Sequence, residues 1–158
     1  DEGAPTRENV IIEKGVLKTY LHNTSTAKNF KTTTTGNAGI VSPIPWNLEM
    51  DPGEMRKEEL IKDVKHGLYL TNTWYTSFQN HATGDFSTIP RDGIFQIENG
   101  EIKQSLKNIR ISDNALRMLN NVMELSRERQ HVHWWVEADP PSLSPYLLMK
   151  DVQITTSK

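Results

Sequence analysis

Short apolar runs punctuated by turn residues set the pattern of this chain. Val10-Ile11-Ile12 and Val16-Leu17-Lys18-Thr19-Tyr20-Leu21 flank Glu13-Lys14-Gly15, and a β-prone run on each side of a glycine turn predicts a hairpin. The pattern returns in Ile97-Glu98-Asn99-Gly100-Glu101-Ile102-Lys103, where Asn-Gly is a still stronger type I′ signal. Two hairpins of one grammar fit either a duplicated unit or the same good turn reached twice. Ser25–Phe30 reads as a short helix with Thr24 or Ser25 as its N-cap. Pro43, Pro45 and Pro52 restrict the next segment, leaving Ile44–Met50 an edge strand at best. A helix over Arg56–His66 would bury Leu60, Ile61 and Val64 and end at Gly67.

Leu68–Phe78 then reads as a long strand, Asn80–Ser87 as a turn, and Gly93–Glu98 and Ile109–Ile111 as strands. Ser112 or Asp113 would cap a helix that packs Leu116, Leu119, Val122 and Met123 into the core. A strand at Val132–Val136, a loop around Pro140, Pro141 and Pro145, and a strand at Tyr146–Ile154 complete the chain. About eight strands with two or three short helices, not alternating as βαβ units, predict an α+β domain of predominantly antiparallel sheet.

Composition narrows the function classes. The 158 residues suit one domain with a real core, 35% hydrophobic and 24% charged. Eighteen basic residues are interleaved with twenty acidic ones for a net charge of −2, so no basic stripe exists for a nucleic-acid backbone. No apolar run approaches the ~20 residues that cross a bilayer, and no membrane partner is expected. There is no cysteine, which removes disulfides, thiolate zinc ligands and cysteine nucleophiles and fits a cytoplasmic setting. The opening Asp1-Glu2-Gly3-Ala4-Pro5-Thr6 reads like the interior of a longer polypeptide.

No autonomous catalytic signature is present: no Gly-x-Ser-x-Gly, phosphate loop, dinucleotide fingerprint or His-Glu-x-x-His. What remains is polar loops and aromatics. Thr32–Thr35, Gly36, Asn37, Ala38 and Gly39 form one irregular stretch, and Asn80-His81-Ala82-Thr83-Gly84-Asp85-Phe86-Ser87 another. The second is equally readable as a tight turn in which Asp85 binds nearby backbone N–H groups, and Arg91-Asp92-Gly93 as a plain loop. His131 and His133, two apart, share one face of a strand. That spacing suits a metal, and it also arises by chance. Trp46, Trp74-Tyr75 and Trp134-Trp135 could line a groove or cover a sheet.

In order, the loops carry a larger pattern. Asp1-Glu2-Gly3-x-Pro5-Thr6-Arg7 runs into Val10-Ile11-Ile12-Glu13-x-Gly15-Val16-Leu17-Lys18-x-Tyr20-Leu21. Thr35-Gly36-Asn37-Ala38-Gly39 and Gly67-Leu68-Tyr69-Leu70-Thr71-Asn72 come next. Asn80-x-x-Thr83-Gly84-Asp85-Phe86-Ser87 and Ile97-Glu98-Asn99-Gly100-Glu101-Ile102 complete it. Over residues 1 to 154 this order resembles the C-terminal domain of the TldD/PmbA family, also called the modulator of DNA gyrase family. The Trp134-Trp135-Val136-Glu137 stretch is closer to archaeal members.

The resemblance implies a single domain over 1–158 within a two-subunit, zinc-dependent peptidase acting on unfolded or extended polypeptide. A catalytic His-Glu-x-x-x-His helix would lie upstream, in one subunit of a homodimer or of a heterodimer with a family paralogue. It makes Thr35, Gly36, Asn37, Asn72, Asn80, Thr83, Gly84, Asp85 and Ser87 candidates for lining a substrate channel. In the family's catalytic subunit this domain supplies a cysteine as third zinc ligand. That cysteine is missing here, which leaves two readings: a non-catalytic partner-type domain, or a catalytic type in which His131 or His133 replaces the cysteine. Outside the family frame, the alternative is an interaction or oligomerisation module with no peptidase role.

Overall fold

Paired positive backbone angles build the two short hairpin turns that the sequence announces. A computed structural model describes residues 2–134 and 138–156, and the chain divides after Leu48 into two compact units. In the first, β1 (Ile12–Glu13) and β2 (Val16–Leu17) pair antiparallel across Lys14-Gly15, whose φ values of 50° and 78° are those of a type I′ turn. The strands stop short of the full apolar runs, and Val10, Ile12, Val16 and Leu17 all remain about half exposed.

Helix α1 (Thr24–Asn29) is capped by Asn23, one residue ahead of the predicted Thr24 or Ser25. Asn23 Oδ1 accepts the Thr26 N–H at 2.8 Å while Thr26 Oγ1 accepts the Asn23 N–H at 3.1 Å. This reciprocal box satisfies two backbone donors that a helix start otherwise leaves unpaired. Ala27 and Ala38 are the buried apolar residues of this unit, and Asn23, Thr35 and Asn37 are buried beside them. Hydrogen bonds therefore do much of the work that an aliphatic core does elsewhere.

Strand β3 (Leu48–Glu49) ends the first unit and opens the second. Helix α2 (Lys57–Lys62) comes next, with the Glu59 carboxylate accepting the Arg56 N–H at 2.6 Å and Leu60 buried. It ends earlier than the predicted His66. The carbonyls of Val64 and Lys65 instead accept the N–H groups of Gly100 and Asn99 at 2.8 and 2.7 Å, and His66-Gly67 begin a strand. Gly67 is thus not a helix C-cap.

That strand, β4 (His66–Asn80), forms a long antiparallel hairpin with β5 (Asp85–Glu98). Pairing starts at Asp85, well before the predicted Gly93, and the turn is confined to the residues between the strands. Pro90 lies in the stretch of β5 covered by neither of its other partners, where a missing N–H costs least. Those partners are β6 (Glu101–Ser105), joined through the type I′ turn Asn99-Gly100 (φ 49° and 79°), and β7 (Ile109–Asn114). Ile97, Ile109 and Ile111 supply the buried aliphatic positions of this sheet.

Helix α3 (Ala115–Asn120) is capped by Asn114, not by Ser112 or Asp113, which belong to β7. Its predicted apolar stripe is not a core. Leu116 is 65% exposed, Leu119 49% and Met123 52%, and the helix gives way to β8 (Val122–Trp134) before the stripe is complete. Strand β9 (Ala138–Met149) pairs antiparallel with β8 and incorporates Pro140, Pro141 and Pro145, where a loop is predicted. Strand β10 (Ile154–Thr156) then joins β7. Of the predicted Val132–Val136 strand and Trp134–Glu137 stretch, residues 135–137 lie outside the described residues. The described residues hold ten strands and three six-residue helices, an α+β fold with mostly antiparallel sheets.

A wholly buried hydroxyl holds the β8–β9 register. Between the pairs Leu125–Leu147 and Arg129–Pro145, β8 spends three residues where β9 spends one. Ser126, 0% exposed, fills the gap: its Oγ donates to the Glu128 carbonyl at 2.6 Å and accepts the Tyr146 N–H at 2.8 Å. No sequence motif singles out this serine.

Candidate functional site

In the first unit, Thr35, Gly36 and Asn37 are buried, and their polar groups are engaged within it. Thr35 Oγ1 accepts the His22 N–H at 2.8 Å and donates to the His22 carbonyl at 3.0 Å. The Asn37 amide donates to the Ile44 carbonyl at 3.2 Å and accepts from the Asn9 amide at 3.3 Å. Gly36 sits at φ 76°, and its carbonyl accepts the Trp46 indole N–H at 3.0 Å. Nearby, the Glu2 carboxylate accepts the Thr24 hydroxyl and N–H and the Thr34 hydroxyl at 2.5 to 2.6 Å. Those donors, the Thr24 and Thr34 hydroxyls first, hold its pKa below the usual carboxylate range.

In the second unit the structure brings Asn80, Thr83, Gly84 and Asp85 together around one side chain, that of Asn114. Asn80 Oδ1 accepts the Ala82 N–H at 2.9 Å, its carbonyl accepts the Gly84 N–H at 2.9 Å, and Gly84 takes φ 82°. The Asn114 amide donates to Asp85 Oδ1 at 2.9 Å and to the Thr83 carbonyl at 2.7 Å, while the Thr83 hydroxyl donates to Asp85 Oδ2 at 2.6 Å. Asp85 therefore binds side chains rather than the backbone N–H groups that the tight-turn reading expects. The Asn114 amide and then the Thr83 hydroxyl hold its carboxyl below the usual range. Ser87 is not in this cluster, since its Oγ accepts from Gln79 at 3.1 Å and Arg110 at 3.2 Å. Asn72 lies farther along β4, donating to the Asp92 carboxylate at 3.1 Å.

Asn114 also caps α3 by accepting the Arg117 N–H at 3.1 Å, so one residue ties the β4–β5 turn to a helix. Asn114→Ala is expected to cost about 1–2 kcal/mol from the lost cap and turn bonds, read as a lower urea midpoint. An unchanged midpoint would show the turn to be held from elsewhere.

His131 and His133 stand on β8, as predicted, and both are exposed. Among the described residues no group of three or more His, Cys, Asp or Glu could hold a metal ion. A zinc site built on either imidazole would therefore take its other ligands from outside the described residues.

Arg91-Asp92-Gly93, predicted as a plain loop, lies inside β5 at a double irregularity. Between the pairs Leu70–Ile94 and Asn72–Arg91, β5 carries the extra residue; between Trp74–Ile89 and Ser77–Ser87, β4 carries it. Asp92 takes φ 65° in the first bulge and Tyr75 φ 55° in the second. Left-handed backbone costs of order 1–3 kcal/mol at a non-glycine residue and is least expected of a bulky one. The Arg91 guanidinium lies 5.9 Å from the Trp74 ring centroid and 5.7 Å from that of Tyr75, and Trp134 meets Trp74 edge-on at 5.7 Å. The adjacent pair Trp74-Tyr75 was singled out in the sequence, but nothing there joins it to Arg91, because bulges leave no mark in a hydrophobicity pattern.

The described residues form a mostly antiparallel domain with polar turns and an aromatic surface cluster. Residues 1–156 match the family described as the PmbA/TldA metallopeptidase C-terminal domain, and the chain belongs to that family. It is 35% identical over 141 residues to a metalloprotease of Methanocaldococcus jannaschii, covering 81% of this chain and 29% of that protein. A zinc metalloprotease TldD homolog of Saccharolobus solfataricus is 32% identical over 134 residues, covering 81% and 30%. Among solved structures, a Thermotoga maritima protein described as a modulator of a DNA gyrase superposes with a TM-score of 0.84 at 31% identity, covering 98% of this chain and 34% of that one. TldE of Thermococcus kodakarensis superposes with a TM-score of 0.81 at 26% identity, covering 96% and 34%. The chain spans less than a third of the length of these two curated relatives. No helix of the described residues is long and apolar enough to cross a membrane.

Proposed function

We propose that this chain is the C-terminal domain of a zinc-dependent peptidase assembly, acting in the cytoplasm on unfolded or extended polypeptide. In this reading it walls the substrate channel and contributes to the interface of a homodimer or of a heterodimer with a family paralogue. Family membership supports the peptidase class, and the observation that carries the channel role is the outer edge of β4. Among the described residues no strand other than β5 pairs with β4, so the outer edge over residues 66–74 is not covered by another described strand. An extended peptide adds to such an edge through main-chain hydrogen bonds, largely irrespective of its sequence. Of the candidate lining residues, Asn72 and Asn80 lie on β4 itself.

Exposed apolar side chains support the interface role. Ile40 and Val41, neighbours in the chain, are 103% and 90% exposed, an apolar pair that a covering surface would bury. Zinc enters through the relatives, and no catalytic step is assigned to residues of this chain. In an assay of the full-length protein with and without its paralogue on an unstructured peptide, cleavage that a chelator abolishes is expected in at least one combination. No chelator-sensitive cleavage in any of them would leave an interaction module as the better reading.

A further inference from the structure

We infer that Asn99, in the β5–β6 turn, is a site of spontaneous deamidation that the end of α2 holds shut, so that the reaction records each opening of that contact. The inference is independent of the peptidase reading. In an Asn-Gly pair the Gly100 backbone nitrogen can attack the carbonyl carbon of the Asn99 side chain, because glycine has no Cβ to crowd the approach. The new N–C bond closes a cyclic imide, and the side-chain amide nitrogen leaves as ammonia with the proton from Gly100. Water then opens the imide at either carbonyl. The products are aspartate and its isomer, in which the backbone runs through the former side chain.

Two features of the fold oppose ring closure. The Gly100 N–H donates to the Val64 carbonyl at 2.8 Å and the Asn99 N–H to the Lys65 carbonyl at 2.7 Å, so the attacking nitrogen is engaged by the chain leaving α2. Asn99 and Gly100 also hold the φ values of a type I′ turn, 49° and 79°. In that turn a first ψ of about +30° points the glycine nitrogen away from the asparagine side chain. Ring closure requires the Cα–C bond of Asn99 to rotate until the two meet. The turn is seated too closely for that, since a Cβ on Gly100 would lie 2.7 Å from the carbonyl oxygen and 2.9 Å from Cα of Lys62, the last residue of α2. Reaction therefore waits until the turn lifts from the helix end. The products do not reseat as the parent does. The isomer adds a backbone carbon to a turn whose flanking pairs, Glu98–Glu101 and Ile97–Ile102, fix the register. Either product adds a negative charge between Glu98 and Glu101, on a turn that binds the carbonyl-bearing end of a helix.

The test uses the full-length protein at fixed pH and temperature. Peptide mapping by mass spectrometry reads the conversion of Asn99, and hydrogen exchange reads opening at the Gly100 amide. A free peptide spanning Ile97–Lys103 gives the unrestrained rate. Wild type is expected to convert at least about tenfold more slowly than the peptide, at the peptide's rate multiplied by the fraction of time the Gly100 amide is open. Leu60→Ala removes the buried side chain of α2, and should raise Gly100 exchange and Asn99 conversion together, by about tenfold or more. Should that variant fail to fold, wild type in sub-denaturing urea makes the same comparison, because both rates must rise in step. Equal rates in protein and peptide, faster Gly100 exchange without faster conversion, or no conversion where the turn is open would each overturn the inference.

Discussion

Replacing Gly36 by alanine is expected to destabilise the first unit by about 3 kcal/mol or more, from two penalties at one position. Gly36 takes φ 76°, where a Cβ is disfavoured on its own account. A Cβ built there would also lie 2.5 Å from the Pro5 carbonyl oxygen and 3.2 Å from Thr6 Cα. Both neighbours are backbone, so no side chain can swing away, and the N-terminal stretch of chain has to move. Movement would pull at the bonds on either side, the Trp46 indole to the Gly36 carbonyl and the Arg7 guanidinium to the Thr34 carbonyl. Hydrogen exchange reads the result through the Thr35 and Ile44 amides, which donate to the His22 and Asn37 carbonyls at 2.9 and 3.2 Å. Both should lose protection in the variant. Wild-type protection at both would mean that the unit accommodates the methyl group, against the geometry described.

Arg117→Ala should destabilise the second unit, read as a lower urea midpoint, since it strips the guanidinium from a buried carboxylate. The Asp113 side chain is fully buried, and Arg117 grips it with two donors, Nε at 2.8 Å and Nη2. The N–H groups of Gln153 and Asn114 complete its shell at 2.8 and 2.6 Å. Burial alone pushes this carboxyl up, but the Arg117 bond, together with the two backbone donors, outweighs it and holds the pKa below the ordinary value. A carboxyl lowered on folding contributes stability that is fully present above its unfolded pKa, about 3.9, and that is lost as pH falls through the folded value. Without the guanidinium, burial regains weight and the folded pKa rises, so the variant should lose stability at a higher pH than wild type. Urea denaturation from pH 7 down to pH 3 checks both statements. A variant with wild-type stability and wild-type pH dependence would show that water, not Arg117, satisfies Asp113.

Both residues show how unevenly the molecule could be read from its sequence. Local chemistry was legible. Lys14-Gly15 and Asn99-Gly100 turn where a glycine, and in the second case an asparagine too, readily takes positive φ, and the Asn80–Asp85 turn closes through the Asn80 side-chain and backbone carbonyls. Each rests on contacts a few residues apart. Helix ends were harder, because a cap competes with whatever else can bind the same carbonyls: α2 stops where the Asn99-Gly100 turn takes over the Val64 and Lys65 oxygens. The stripe Leu116, Leu119, Val122 and Met123 misled for a related reason. Helical spacing can mark a buried face, but here α3 lasts six residues and its continuation is claimed by pairing between β8 and β9.

The candidate site divides along the same line. The sequence by itself determined the order of turn motifs, the antiparallel character and, through its motif order, the family. Those properties are carried by residue types at fixed short spacings. Only the tertiary structure decided that Thr35 and Asn37 face inward, that Asn114 gathers the Asn80–Asp85 turn, and that Arg91 meets Trp74 and Tyr75, the latter at a strained backbone angle. Each of these joins residues far apart in the chain. Their meeting depends on strand register, and a bulge of one extra residue, invisible in the pattern of apolar positions, changes which side chains share a face.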